Sequence, residues 1–372
     1  MVKAVNGNEV IGLFEQFSPK AYAMEGDKIG LQIGTLNKSV EKVMVALDVL
    51  EEVVDEAIEK NVQLIIAHHP PIFRPLKKLT TDNVSGRMIE KLLKHDIAVY
   101  AAHTNLDVTP GGVNDMLANA LGLENTEVLY PTYEKKLKKI TVYVPEDYAD
   151  EVRKALGIAG AGAIGDYSHC SFSSQGEGRF LPGDKTQPFI GSAGQLETVN
   201  EIKIETIVEE HLLKRTLTAM LKAHPYEEVA YDIFSLDNKG EVLGLGRIGS
   251  IDPITLGDFA EKVKKAFGLD RVRVIGNVND MVRKVAVLGG DGNKYYSSAK
   301  FKGADVYVTG DIYYHTAHDA MMEGLNIIDP GHNIEKIMKK GVAEVMTKMC
   351  DQKGYRVTFI PSEVDTNPFQ II

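Results

Sequence analysis

The chain has 372 residues, enough for two or three domains at a soft prior of roughly 150 residues each. Its 52 Asp and Glu exceed its 42 Lys and Arg for a net charge of −10, which argues against a dedicated nucleic-acid binder, since gripping a phosphate backbone needs a basic face. A composition 44% apolar and 25% charged excludes wholesale disorder, and only two cysteines, Cys170 and Cys350, exclude a disulfide framework or a four-thiolate cluster, so any metal must rest on His and carboxylate.

The N-terminal stretch MVKAVNGNEVIGLFEQFSPKAYAMEG has no apolar core of signal-peptide length, and no run approaches the ~18 apolar residues that cross a bilayer. The expectation is a soluble cytoplasmic protein with no membrane contact. KVMVALDV (42–49) reads as a buried strand, and LEEVVDEAIEKN (50–61) as a helix with Leu50, Val53, Val54, Ala57 and Ile58 on one face. QLIIAHHPPIF is a strand stopped by Pro70 and Pro71, GRMIEKLLKHD a helix, and IAVYAAHTNLD another strand. This alternation predicts a parallel sheet with crossover helices.

The middle of the chain reads differently. KKITVYVPEDYADEVRKALG gives a strand and a helix, and AGAIGDYSHCSFSS a second strand. VNEIKIETIVEEHLLKRTLTAMLKAHPYEEVAYDIFSL then gives strand, helix and strand. That is a βαβ–βαβ duplication, the layout of a ferredoxin-like domain. Between its halves, SSQGEGRFLPGDKTQPFIGSAGQ is too rich in Gly, Pro and Ser and too long for an ordinary connection, and reads as a flexible or partner-binding loop. The last part repeats the first plan: KVAVLGGDG (284–292) and ADVYVTGD (304–311) as strands, YYHTAHDAMMEG as a helix, LNIIDPGH as a strand, a long helix from NIEKIMKK, and YRVTFIP closing the sheet. The fold expected is α/β, with a mostly parallel mixed sheet unit from residues 1–130 and 246–372 interrupted by a ferredoxin-like domain at 131–245.

Histidines gather at predicted strand ends, where open parallel sheets collect ligands. IIAHHPP brings His68 and His69, which the proline turn lets aim at one pocket, the plain alternative being two loop histidines. AAHTNLD adds His103 and Asp107. DPGHNIEK adds His332 and Glu335, the plain alternative for Glu335 being a helix cap. His68, His69, Asp107, His332 and Glu335 supply ligands for two ions with positions left open for water. In TGDIYYHTAHDA, Asp311 and His315, and His315 and Asp319, lie one helical turn apart, so one helix face bearing His315 and His318 would line the same crevice.

Other motifs are weaker. GLGRIG (244–249) spells the dinucleotide fingerprint without a strand-to-helix turn after it, and GGDGNKYYSSA (289–299) is a turn whose amides could hold an anion but which lacks a P-loop ending. No G-x-S-x-G elbow is present, Cys170 reads as a buried thiol, and His224, Tyr226 and Glu227 of AHPYEE read as a turn signal or a small polar site.

With these residues in hand, the sequence resembles the NIF-three-like family, proteins often labelled type-2 GTP cyclohydrolase homologues. GDKIGLQIG (26–34), KVMVALDV, IIAHHPPIF, YAAHTNLD, GRIG, TGDIYYH and PGHNIEK carry the resemblance across both outer blocks, and the middle block resembles the PII/CutA-like domain of some bacterial members. Carried over by position, the resemblance implies a dinuclear site on His68, His69, Asp107, His332 and Glu335, and a toroidal hexamer with its metals facing the interior. Many members space the last pair as GHxxxE, whereas GHNIE here is one residue shorter.

The function expected is a hydrolase bearing two divalent transition-metal ions per chain, whether zinc, iron or manganese. It would open the imidazole ring of a nucleotide such as GTP, with His103 or His315 shuttling protons. The competing expectation is a non-catalytic, metal-loaded regulatory or scaffold protein whose middle domain senses a ligand.

Overall fold

A computed structural model describes residues 5–370. They form two compact units, one taking in the chain up to Tyr133 and from Leu243 onward (the split unit), the other Glu134–Val242 (the middle unit).

The split unit is a mixed α/β structure with two sheets where one had been expected. The first sheet runs, in spatial order, Gly30–Ile33, Ala98–Ala101, Leu64–Ala67, Lys42–Ala46 and Thr358–Pro361. Its last four strands are parallel to one another, and Gly30–Ile33 is antiparallel at the edge. YRVTFIP therefore closes the sheet of the N-terminal half, Phe359 lying opposite Val43. The second sheet has six strands, Arg273–Ile275, Asn326–Asp329, Val306–Gly310, Met281–Asp291, Val242–Thr255 and Glu124–Glu134, with a parallel centre at 281–291, 306–310 and 326–329.

The parallel strands of both sheets are buried on both faces, so they are near-continuous apolar runs whose successive side chains enter cores on opposite sides. Val43, Val45, Leu64 and Ile66 of the first sheet share a core with Val285, Val287, Val306 and Val308 of the second. Helices Gly7–Phe17, Val113–Ala120, Leu256–Phe267 and Ile337–Lys353 contribute to that core through residues such as Phe14, Leu117, Phe259 and Met346. The intervening residues Met44, Ile65 and Val99 face outward onto helices Glu51–Glu59 and Val84–Lys94. Ala286, Tyr307 and Ile327 do the same on the second sheet, packing on Ala299 and Ala320. Both parallel arrays thus end their carboxyl-terminal edges within one unit, which positions the histidines.

The middle unit is a four-stranded antiparallel sheet in the order Phe172–Phe180, Glu197–Glu209, Leu137–Pro145, Tyr231–Ser235, packed through Ile140, Val142, Ile204 and Val208 onto helices Ala149–Ile158 and Leu213–Ala223. The expected second strand over 161–174 is displaced toward the C-terminus. Residues 161–171 double back through left-handed Gly162, Gly165 and His169, and a side chain at Gly162 would strike the Cys170 backbone. Much of the expected loop is instead strand 172–180, in which Gly178 leaves room for the Glu201 carboxylate that a Cβ would meet at 2.2 Å. Cys170, expected to be buried, is half-buried, whereas Cys350 is buried. GLGRIG lies inside strand 242–255, where Gly246 takes φ +66° and Arg247 is buried against Asp115.

Candidate metal centre

Strand 64–67 ends as His68 begins, and strand 98–101 ends just before His103 and the short helix Thr104–Val108 that carries Asp107. On the second sheet, strand 306–310 delivers Asp311, and strand 326–329 delivers His332. His332 and Glu335 lie on one 3₁₀ turn, His332–Lys336. Side chains three apart eclipse in a 3₁₀ helix, so the shortened GHNIE spacing still sets His332 Nε2 3.1 Å from Glu335 Oε2.

These residues converge. Glu335 Oε2 also lies 3.1 Å from His69 Nε2, and Glu335 Oε1 is 3.7 Å from His68 Nε2. Asp107 Oδ1 is 3.6 Å from the same His68 nitrogen. His103 packs its ring 5.4 Å from that of His68 and 5.8 Å from that of His69. Ligand atoms of His68, His69 and Glu335 all lie within 4.8 Å of one another, a group that could hold a metal ion.

All four histidines are oriented in the same manner. Nδ1 of His68 donates to the Ala102 carbonyl at 2.9 Å, that of His69 to Asp48 at 2.7 Å, that of His103 to Asp27 at 2.9 Å and that of His332 to Asp311 at 2.7 Å. Tying down Nδ1 leaves each Nε2 as the nitrogen that could ligate, as in the usual outer support of a metal-binding imidazole. His68 Nε2 and Asp107 Oδ1 are buried and have no hydrogen-bond partner among the described residues. Leaving two such atoms orphaned is costly unless something else engages them, and a cation between an imidazole nitrogen and a carboxylate does so. The donor set fits a divalent transition metal.

Electrostatics agree. Burial raises the Glu335 carboxyl, but the charge of His68 and hydrogen bonds from His332 and His69 outweigh it and hold Glu335 well below the usual range. Asp107 lacks such donors, and burial pushes it up to about 6. Against the cost of burial, Asp48 and Glu335 raise His69 to about 10, and the Glu335 hydrogen bond raises His332 to about 9. A metal binding at the Nε2 atoms of His69 and His332 would displace the protons held there against Glu335.

Sequence reasoning missed the outer partners Asp27, Asp48 and Asn114. Asp27 lies in GDKIG and Asp48 in KVMVALDV, inside motifs that had been noted without a role. Asn114 bridges the centre's two halves, donating to the Asp107 carbonyl and accepting from Gly289 N, both at 3.0 Å. The GGDG turn has a different use from the anion cradle expected. Gly290 has φ +65°, and a Cβ there would sit 2.8 Å from Glu335 Oε1 and 3.2 Å from His332 Nε2. The expected helix face bearing Asp311 and His315 does not form, because the helix starts at Tyr314, leaving Asp311 before it with φ +58° and turned onto His332. His315 and His318 are exposed and pack on Tyr314, outside the cluster.

Beside the centre opens a cavity of about 1180 Å³. His69 and His332 form part of its wall, together with Arg271, Arg273, Tyr313 and Phe369. No helix among the described residues is long and apolar enough to cross a membrane.

Comparison with known proteins places these features in a group. A model of Duf34/NIF3 (NGG1p interacting factor 3) matches residues 5–368. The chain is 62% identical over 373 residues to a Bacillus subtilis protein named GTP cyclohydrolase 1 type 2 homolog, and 57% identical over 372 residues to one of the same name from Halalkalibacterium halodurans, covering 100% of each chain in both cases. It is similar to the crystal structure of a Bacillus cereus protein related to NIF3, with 60% identity, full coverage of both chains and a TM-score of 0.94.

Proposed function

The chain belongs to the Duf34/NIF3 family, and from that membership we propose that it is a dinuclear, metal-dependent hydrolase acting on a nucleotide. The observation that carries the reading is the set of four imidazoles, each held at Nδ1 and converging with Asp107 and Glu335 beside a large cavity. His68, His69, Asp107, His332 and Glu335 would hold the metals, and the tethering of His103 to Asp27 supports a role beside them, as a proton carrier or a further ligand. Zinc, iron or manganese supplies Lewis acidity and activates water near neutral pH. The chain's own groups do the rest. Asp48, Asp311 and Asp27 orient imidazoles, and Arg271 offers a guanidinium to phosphate. Tyr313 and Phe369 offer rings to a base. The relatives' name supports GTP as the nucleotide and opening of its imidazole ring as the reaction, water adding across one carbon–nitrogen bond that breaks.

We further propose a cytoplasmic homohexamer enclosing the site, and a ferredoxin-like middle unit. The strand order 172–180, 197–209, 137–145, 231–235 with two helices on one face supports the latter. The regulatory reading is favoured by one observation, a separate cavity inside the middle unit.

The test is protein stripped of metal, reloaded with Zn, Fe or Mn in turn, and incubated with GTP and a panel of nucleotides and phosphoesters. Turnover in at least one metal form, lost in Glu335→Gln and His68→Ala, is expected. No substrate consumed under any metal would overturn the hydrolase and move the regulatory reading ahead. Light scattering tests the ring, and a monomer at working concentration removes it.

A further inference from the structure

The AHPYEE motif and the Gly/Pro-rich stretch, separate features of the sequence, meet in the middle unit. Together they line a cavity of about 600 Å³, inside the ~300–1,000 Å³ range of small-molecule sites. Strand 172–180 and the segment after it supply Phe180 and Phe189, and the motif supplies Tyr226. Tyr226 stands between the two rings, its centroid 5.9 Å from Phe180 at 62° and 6.3 Å from Phe189 at 50°. Tyr226 thus stands at a steep angle to each of the other two rings, and all three line the cavity.

Buried His224 holds Tyr226 in place. Its Nε2 donates to the Tyr143 carbonyl at 2.9 Å, and its Nδ1 accepts the Tyr226 amide at 3.1 Å. One neutral tautomer satisfies both contacts, in keeping with burial lowering the pKa of His224.

A carboxylate lies alongside the rings. Glu201 is half-buried, accepts a hydrogen bond from Tyr226 Oη at 3.2 Å, and has no cation within ion-pair distance among the described residues. The cavity's own cations are occupied, Arg179 by Glu177 at 2.6 Å and Lys203 by Glu205 at 3.2 Å. Gly176 lies opposite Glu201 in the sheet register, and a Cβ placed on it would meet nothing within 4 Å, so strand 172–180 leaves open space beside that residue.

We propose that this cavity binds a small organic ammonium ion, with Glu201 as its counter-charge and Phe180, Phe189 and Tyr226 as its aromatic walls. Ring faces and an unpaired carboxylate attract a cation together. A hard metal ion would want several oxygen ligands, which ring faces do not provide. An anion would meet Glu201 with no free cation to offset it. Burial holding the Glu201 carboxyl above its usual range is what an incoming cation would relieve.

The experiment is calorimetric titration of the full chain with benzyltrimethylammonium, with benzyl alcohol as neutral and phenylacetate as anionic probe. The ammonium should bind at millimolar or lower concentration, and the other two at least about tenfold more weakly. Glu201→Gln and Phe189→Ala should each weaken it by about tenfold. Phe189 is 52% exposed, so its truncation leaves the fold intact should Glu201→Gln fail to fold. His68→Ala at the metal centre should leave the titration unchanged, which separates this site from that one. The proposal is overturned if the ammonium does not bind, if phenylacetate binds as well, or if Phe189→Ala and a folded Glu201→Gln bind like the parent.

Discussion

Among the described residues of the candidate metal group Asp48 hydrogen-bonds His69 alone, yet its removal should weaken metal binding measurably. Its carboxylate accepts from His69 Nδ1 at 2.7 Å, is itself held by Thr366, and stays ionised because those donors outweigh the cost of its burial. A hydrogen bond to a charged group contributes about 1.5–3 kcal/mol and one to a neutral amide about 0.5–1.5 kcal/mol. Asp48→Asn keeps an acceptor but loses the charge, a difference of about 1–1.5 kcal/mol, or roughly five- to tenfold in affinity. Asp48→Ala loses the whole contact and frees the ring to rotate, which should cost about ten- to a hundredfold. His68 provides the contrast, since its Nδ1 donates to a main-chain carbonyl that no side-chain change removes. Competition of metal-free protein with a chromophoric chelator for Zn²⁺ measures the effect, with Glu52→Gln on the exposed face of helix 51–59 as control. If Asp48→Ala holds zinc as tightly as the parent, His69 is not a ligand and the orientation argument fails.

Three other outcomes follow from the same coordinates. Gly290→Ala should lower bound metal per chain, measured by elemental analysis, because its Cβ would meet Glu335 at 2.8 Å; Gly303→Ala, with a similar φ of +75° but nothing nearer than 4.0 Å, should cost only about 1–2 kcal/mol of stability. Deleting residues 134–242 behind a short linker should leave a soluble metal-binding protein, because no ligand lies there and the chain enters and leaves the unit side by side, Lys135 N donating to the Glu241 carbonyl at 3.0 Å. Acid should weaken the middle unit. Burial lowers the pKa of both His224 and His211, so the unfolded chain takes up protons first, and this part of the stability is complete above about pH 6.5 and lost as pH falls below it. Thermal melts of the full chain between pH 8 and 5 would show it, and a pH-independent transition for this unit would contradict it.

Much of the centre was legible because its residues are local in sequence. His68–His69 and His332–Glu335 follow apolar strand runs whose β-branched character marks where the strands stop, and those stops are where the histidines gather. Asp107 was legible for the same reason, though it arrives on a helical turn, not on the strand itself. His315 misled because helical spacing was counted from Asp311, three residues before the helix begins. Gly176 and Gly178 misled in turn, since glycines that normally signal a loop here sit in a strand, where Gly178 makes space for Glu201.

The sequence by itself determined the strand and helix periodicities, the division into outer and middle parts, and the residue types able to hold a metal. It did so because backbone hydrogen bonding and the burial of one face depend on neighbours a few positions away. Only the tertiary structure decided that the outer parts make two sheets, that strand 358–361 returns to the first of them, and that His69 meets a glutamate 266 positions later. It also decided which imidazole nitrogen each carboxylate meets. Asp48, Asp311 and Asp27 face an imidazole Nδ1, while Glu335 faces Nε2. Aspartate and glutamate offer the same charge in a sequence. Which nitrogen each one meets is fixed by the packing of strands far apart along the chain, and no local pattern encodes that packing.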